Sequence, residues 1–155
     1  LLFGDAATAT IIDNQGNWQI GPALLETDGA KSENIQTVNG VFKMNGRQVL
    51  NFEMNSVPKQ IRQLLRHCNL SQTEVDLYLL HQGSAAIVHA IASKFPEVSE
   101  RFPCEIKETG NTVSSSIPLM LKTRLFDPRL NCVLLSGFGI GLSWGSTILR
   151  RVGPG

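Results

Sequence analysis

An excess of charge of one sign is what this 155-residue sequence most clearly lacks: 14 Lys plus Arg stand against 13 Asp plus Glu. A nucleic-acid partner calls for a clustered basic excess, so none is expected. Long apolar runs are missing as well. Nothing approaches the ~18 consecutive apolar residues of a membrane-crossing helix, which excludes a helical membrane span. No secretory leader is recognisable, because Leu1-Leu2-Phe3 has no basic flank and runs straight into Gly4-Asp5. Cysteine is scarce. Cys68, Cys104 and Cys132 lie far apart and form no CxxC pair, which supports neither a structural metal nor a disulfide framework. No metal and no cofactor are expected, and three plain thiols fit a reducing cytoplasm. What is present is 42% hydrophobic and 17% charged residues, enough for one folded domain with a sizeable core.

The chain opens inside a structured element. Residues 1–13 read as an apolar, small-residue strand closed by a turn at Asn14-Gln15-Gly16-Asn17. A natural protein seldom begins in mid-strand, so an N-terminal partner domain is expected outside these residues. Residues 26–40 read as a loop and Met44-Asn45-Gly46-Arg47 as a turn. A helix is predicted from a Ser56 cap, with Pro58 in its first turn and Val57, Ile61, Leu64, Leu65 and Cys68 on one face. Ser71 caps a short turn. Residues 75–80 form a buried strand that stops at His81, and Ser84 caps a helix with Ile87, Val88, Ile91, Ala92 and Phe95 as its apolar stripe. Cys104-Glu105-Ile106 reads as a short strand. Ser114 or Ser115 caps a helix with Pro118 in its first turn. Residues 131–137 and 142–150 are strands around the glycine turn Phe138-Gly139-Ile140-Gly141. Strands alternating with helices indicate an α/β layered domain over residues 1–155.

Three loops attract chemical interest. His81 falls at the carboxyl end of a buried strand, the edge where open α/β sheets bind ligands; a backbone-bonded structural histidine is the plain alternative. His67 and His89 sit within helices and read as structural. Asn111 could offer a neutral amide donor to a carbonyl oxygen, or serve only its turn. Gly137, Gly139 and Gly141 could expose backbone N–H groups to an oxyanion, or serve only a hairpin. Two other readings fail. Gly141-Leu142-Ser143-Trp144-Gly145 matches G-x-S-x-G, but Ser143 enters a strand and no histidine follows it. A dinucleotide site at the glycine turn lacks the helix that would receive a pyrophosphate.

Taken together the loops are more specific. Phe3-Gly4-Asp5-Ala6-Ala7, Met44-Asn45-Gly46-Arg47-Gln48-Val49, His81-Gln82-Gly83-Ser84, the run from Gly110-Asn111-Thr112 to Ile117-Pro118, and the run from Gly137-Phe138-Gly139 to Trp144-Gly145 resemble, in order and spacing, the beta-ketoacyl-acyl carrier protein synthase III family. The resemblance implies the C-terminal half of a thiolase-like condensing enzyme. It also implies a five-stranded mixed sheet with helices on both faces, and an N-terminal domain bearing the nucleophile. Such enzymes join an acyl thioester to a malonyl thioester with decarboxylation, in fatty-acid or specialised-metabolite chain initiation.

By that resemblance His81 and Asn111 are the catalytic histidine and asparagine. The backbone at Gly139, Ile140 and Gly141 faces the acyl oxygen. Acyl-CoA and malonyl-acyl carrier protein are the implied substrates. The implied partners are acyl carrier protein, the chain's own N-terminal half and a second copy in a homodimer. None of Cys68, Cys104 and Cys132 fits the nucleophile, so the chain alone is expected to be inactive. Two departures stand out: the family's His-Gln-Ala-Asn is His81-Gln82-Gly83-Ser84 here, without the arginine of the next turn, and Ile140 interrupts the glycine triplet. The rival reading is a non-catalytic partner subunit or an acyltransferase of the same fold.

Overall fold

In the computed structural model, which describes residues 2–153, six strands form two sheets. They are β1 (Trp18–Thr27), β2 (Ile35–Val38), β3 (Val41–Met44), β4 (Leu77–Leu80), β5 (Cys132–Gly139) and β6 (Ser143–Arg151). The helices are α1 (Gly46–His67), α2 (Ala85–Ala92), α3 (Ile106–Thr109) and α4 (Ser116–Arg124). The main sheet runs β1-β6-β5-β4, with β4 and β5 parallel and the other pairs antiparallel; β2 and β3 form a separate hairpin. The architecture is therefore α/β with a mixed sheet, of four strands plus two rather than five.

Period-two alternation sorts the strand side chains between two cores. On one face Tyr78, Leu80, Leu134 and Ile148 meet Val57, Ile61 and Leu64 of α1 and Val88 and Ile91 of α2. On the other, Leu79, Val133 and Leu149 meet Met120, with Ile117, Leu121 and Leu125 of α4 and its end packed behind. Helices thus cover both faces of the sheet. Each fully buried Leu, Ile or Val contributes about 1.5–3 kcal/mol, so β4 and β5 are held firmly where they end. Those ends carry the site.

Several expectations are corrected. Residues 2–13 form no strand. Their one ladder-like contact is an isolated parallel bridge, Phe3 with Asn111, and they pair with neither outer strand of the sheet, β1 or β4. The main sheet accordingly stops at four. The part of the chain expected as loop contains the end of β1 and all of β2. In β1, Gly21-Pro22 obscures the strand pattern, yet the register slips there between Ile20 and Ala23, and an edge-strand irregularity tolerates proline.

Helix α1 begins ten residues before Ser56. Asn45 caps it, its Oδ1 accepting from Gln48 N at 3.2 Å, and Pro58 lies in the helix interior. The buried stripe of Val49, Phe52, Val57, Ile61 and Leu64 runs through the proline, and this burial offsets the lost backbone bond. Cys104-Glu105-Ile106 is no strand, for it too lacks a partner; Glu105 N–H donates instead to Gln82 Oε1 at 2.9 Å, and Ile106 starts α3. Ser115 stands at the start of α4 but makes no capping bond. Its hydroxyl lies 3.4 Å from Ala6 O and 3.3 Å from Thr8 Oγ1, holding the N-terminal segment.

Candidate active site

His81 is fixed from three sides. Its backbone N–H extends the β4–β5 ladder by donating to Ser136 O at 2.9 Å. The ring stands edge-on to Phe138, 5.5 Å between centroids. Nδ1 lies 2.8 Å from Oγ of Ser116, the first residue of α4, and that same oxygen accepts from Gln82 N–H at 3.4 Å. Desolvation lowers the imidazole pKa below its ordinary value, only partly opposed by the nearby Val113 backbone. A ring this deep in the fold is neutral at pH 7.

Asn111 is seated by backbone rather than by side-chain packing. Its N–H donates to Leu2 O and its C=O accepts from Gly4 N, both at 3.0 Å. Glycine is required on each side of this contact. A Cβ on Gly4 would fall 1.8 Å from Thr109 O, and Gly110 has φ +67 with Gly4 N 3.0 Å from its Cβ position. The Asn111 side chain closes an Asx turn, Oδ1 accepting from Val113 N at 2.9 Å. With its oxygen engaged, the amide NH2 is the group left to donate.

His81, Asn111, Gly139 and Ile140 line one cavity of about 690 Å³. Strand β5 continues through Gly139, so the turn is Ile140–Leu142, and Gly141 falls outside the cavity lining. Ile140 is 62% exposed and stands at the rim. None of the three cysteines lines the cavity. Cys68 ends α1, Cys104 precedes α3, and Cys132 is buried in β5, where desolvation raises its thiol pKa and suppresses the thiolate. Ser143 sits in β6 with its Oγ 3.0 Å from Thr27 Oγ1, which leaves no hydrolase elbow.

Sequence reasoning passed over four residues that build or line this site: Ser116, Gln82, Gly4 and Glu53. Gln82 is 1% exposed and clamps the approach to α3. Its Nε2 donates to Leu80 O at 3.0 Å and Pro103 O at 3.4 Å, while its Oε1 receives Glu105 N–H. Glu53 interrupts the apolar stripe of α1, a signal that a helix start read at Gly46 instead of Ser56 would have exposed. The others depend on contacts between distant segments.

With this geometry in place, likeness to known proteins becomes informative. Residues 65–151 match the family described as 3-oxoacyl-[acyl-carrier-protein (ACP)] synthase III C terminal. The beta-ketoacyl-[acyl-carrier-protein] synthase III of Gloeobacter violaceus is 33% identical over 171 aligned residues, which cover 97% of this chain and 52% of that protein. The crystal structure of 3-oxoacyl-[acyl-carrier-protein] synthase III from Aquifex aeolicus superposes with a TM-score of 0.81 at 26% identity, over 90% of this chain and 46% of that one. The corresponding Pseudomonas aeruginosa structure gives 0.79 at 27% identity, over 94% and 48%. The chain spans about half the length of the relatives it matches. It belongs to the 3-oxoacyl-[acyl-carrier-protein] synthase III family, whose C-terminal part it matches.

Proposed function

We propose that this chain is the C-terminal domain of a condensing enzyme that joins an acyl thioester to a malonyl thioester with loss of carbon dioxide. One observation carries the reading: His81 and Asn111, from separate loops, line the same cavity, each with one polar atom already engaged. Decarboxylation of a malonyl thioester leaves an enolate whose charge collects on the thioester oxygen. Two neutral donors aimed at that oxygen bind it more strongly in the transition state than in the ground state, each worth about 3 kcal/mol. Ser116 Oγ donating to His81 Nδ1 would leave the proton on Nε2, facing substrate. The Asn111 amide supplies the second donor. The backbone at Gly139 and Ile140 would receive the oxygen of the acyl group.

The nucleophilic thiol comes from outside this chain, in a preceding domain. The absence of any of its cysteines from the cavity supports that, as does the relatives' double length. The 155 residues alone would then be inactive. Acyl-CoA and malonyl-acyl carrier protein are the proposed substrates, a cytoplasmic homodimer the proposed working form, and no resident cofactor is needed. No helix among the described residues is long and apolar enough to cross a membrane. Intact-mass analysis of the complete protein after incubation with a panel of acyl-CoA thioesters tests the reading. An acyl adduct on a cysteine outside residues 1–155 is expected. No adduct from any donor, carrier-bound ones included, would favour the non-catalytic partner subunit instead.

A further inference from the structure

Glu53 contradicts its surroundings. Val49, Phe52 and Val57 on the same side of α1 are buried and apolar, and Glu53 is itself only 4% exposed. Its Oε2 has no hydrogen-bond partner, and none of the ion pairs among the described residues includes it. The side chain lines the cavity of His81 and Asn111.

A leucine or methionine at this position would bury similar area without the cost of desolvating a carboxyl. The chain gives up stability here, and such departures from local consistency collect where a ligand is held. Burial raises the Glu53 pKa to about 7, so the group is largely a neutral acid below that pH, with an O–H to donate. His81 is the other titratable side chain lining the cavity, and it is neutral. On the elements packed against α1, Glu26 of β1 accepts from Gln60 Nε2 at 3.0 Å, Cys132 of β5 holds its thiol proton, and His89 of α2 is exposed. Arg150 and Arg151 lie at the end of β6 remote from Trp144, the residue that stacks edge-on against Phe52. Lys31, in the 3-10 turn before β2, pairs with Asp28, and Glu33 of the same turn is exposed.

We infer that Glu53 is a substrate-recognition side chain, its carboxyl O–H donating to an amide carbonyl of the arm that carries the thioester. The inference rests on the condensing-enzyme reading. Coenzyme A and carrier-protein thioesters both reach a buried site through an arm bearing two secondary amides. An amide drawn into a largely apolar cavity loses its water and costs about 1–3 kcal/mol unless it finds a partner. His81 and Asn111 are occupied by the thioester oxygen; Glu53 has an uncommitted carboxyl.

The test compares the complete wild-type protein with Glu53→Gln and Glu53→Leu, measuring kcat and KM for an acyl-CoA and for an ethyl thioester that lacks amides. Leucine should raise KM for the acyl-CoA roughly fivefold, the net effect of one hydrogen bond, with kcat nearly unchanged. Glutamine, which keeps an N–H donor, should stay within about twofold of wild type by the same measure. All three should handle the amide-free thioester alike. In wild type KM for the acyl-CoA should rise as pH passes 7, while in Glu53→Gln it stays flat; that comparison decides the matter even if the leucine variant does not fold. Equal KM values for leucine and wild type, or an equal loss with the amide-free thioester, overturns the inference. If wild type turns over no thioester, the condensing reading fails. Calorimetric binding of desulfo-coenzyme A, which needs no chemistry, then still judges Glu53: equal affinity in wild type and Glu53→Leu refutes its role.

Discussion

Residues 2–44 and residues 75–151 bury apolar surface to very different degrees. No residue in the first stretch is buried, and Leu25 is 81% exposed and Ile20 51%. In the second, Tyr78, Leu79, Leu80, Leu134 and Ile148 are all at 0%. Yet both regions reach the same cavity, one through Phe3, Ile35 and Phe42, the other through His81 and Phe138. His81 is thus anchored in a packed core, whereas Asn111 takes its seat from a thinly packed segment by way of Gly4. One arm of the site inherits the stability of the core; the other depends on a backbone contact that a single methyl group would disturb.

Leu134→Ala strikes the packed region. It empties the center of the sheet and should cost about 2–5 kcal/mol in denaturant unfolding. A loss below 1 kcal/mol would mean that the core on this face is not what anchors His81. Glu53→Gln probes the wall between the two regions and should act on stability through pH. The Glu53 pKa is raised from 4.5 to about 7 on folding, so the folded state binds the proton more tightly. The Glu53 contribution to stability is therefore complete below pH 4.5 and is lost as pH rises toward 7. The glutamine variant should match wild type near pH 4 and exceed it by up to roughly 3 kcal/mol above pH 8. Unfolding curves at the two pH values check the sign; a constant difference would refute it.

Gly4→Ala addresses the thin region alone. Its Cβ meets Thr109 O at 1.8 Å, so the Phe3–Asn111 bridge must move. Condensation should fall roughly tenfold, as for a displaced catalytic donor, while unfolding changes by less than ~1 kcal/mol because half-buried Gly4 belongs to neither buried core. A stability loss as large as that of Leu134→Ala would erase the distinction between the regions. Gly83→Ala should do least. A Cβ there meets Ile87 Cδ1 at 3.5 Å and the His81 ring at 3.6 Å, ordinary contacts that predict a change within ~0.5 kcal/mol and unaltered turnover. A tenfold rate loss would show that glycine at 83 is needed by the substrate.

What was legible in the sequence follows the same division. The strand before His81, the helix capped by Ser84 (Oγ accepting from Ile87 N at 3.2 Å) and the β5–β6 hairpin announce themselves because local pattern and tertiary burial agree. The start of α1 did not, since Pro58 is a better marker of a helix beginning than of its middle. Residues 1–13 have strand composition, but composition alone does not pair them with a neighbouring strand, and residues 2–13 join none. In the site, His81 and Asn111 could be named because each stands at an element boundary within a run of specific neighbours. The Ser116–His81 bond joins residues 35 apart in sequence, and Gly4 meets Gly110 across most of the chain. Such pairs have no local signature. Glu53 lay before the predicted start of the helix, so its place in an apolar stripe with Val49 and Phe52 emerges only from the structure.

The proposed chemistry requires His81 and Asn111 to receive jointly the enolate oxygen formed by decarboxylation. Release of carbon dioxide from a malonyl thioester by the complete protein measures that step directly. His81→Ala and Asn111→Ala should each slow release by about 100-fold or more, with the folded state retained and acylation by the first thioester less affected. Release at wild-type rates in either variant would contradict it and remove that residue from the chemistry.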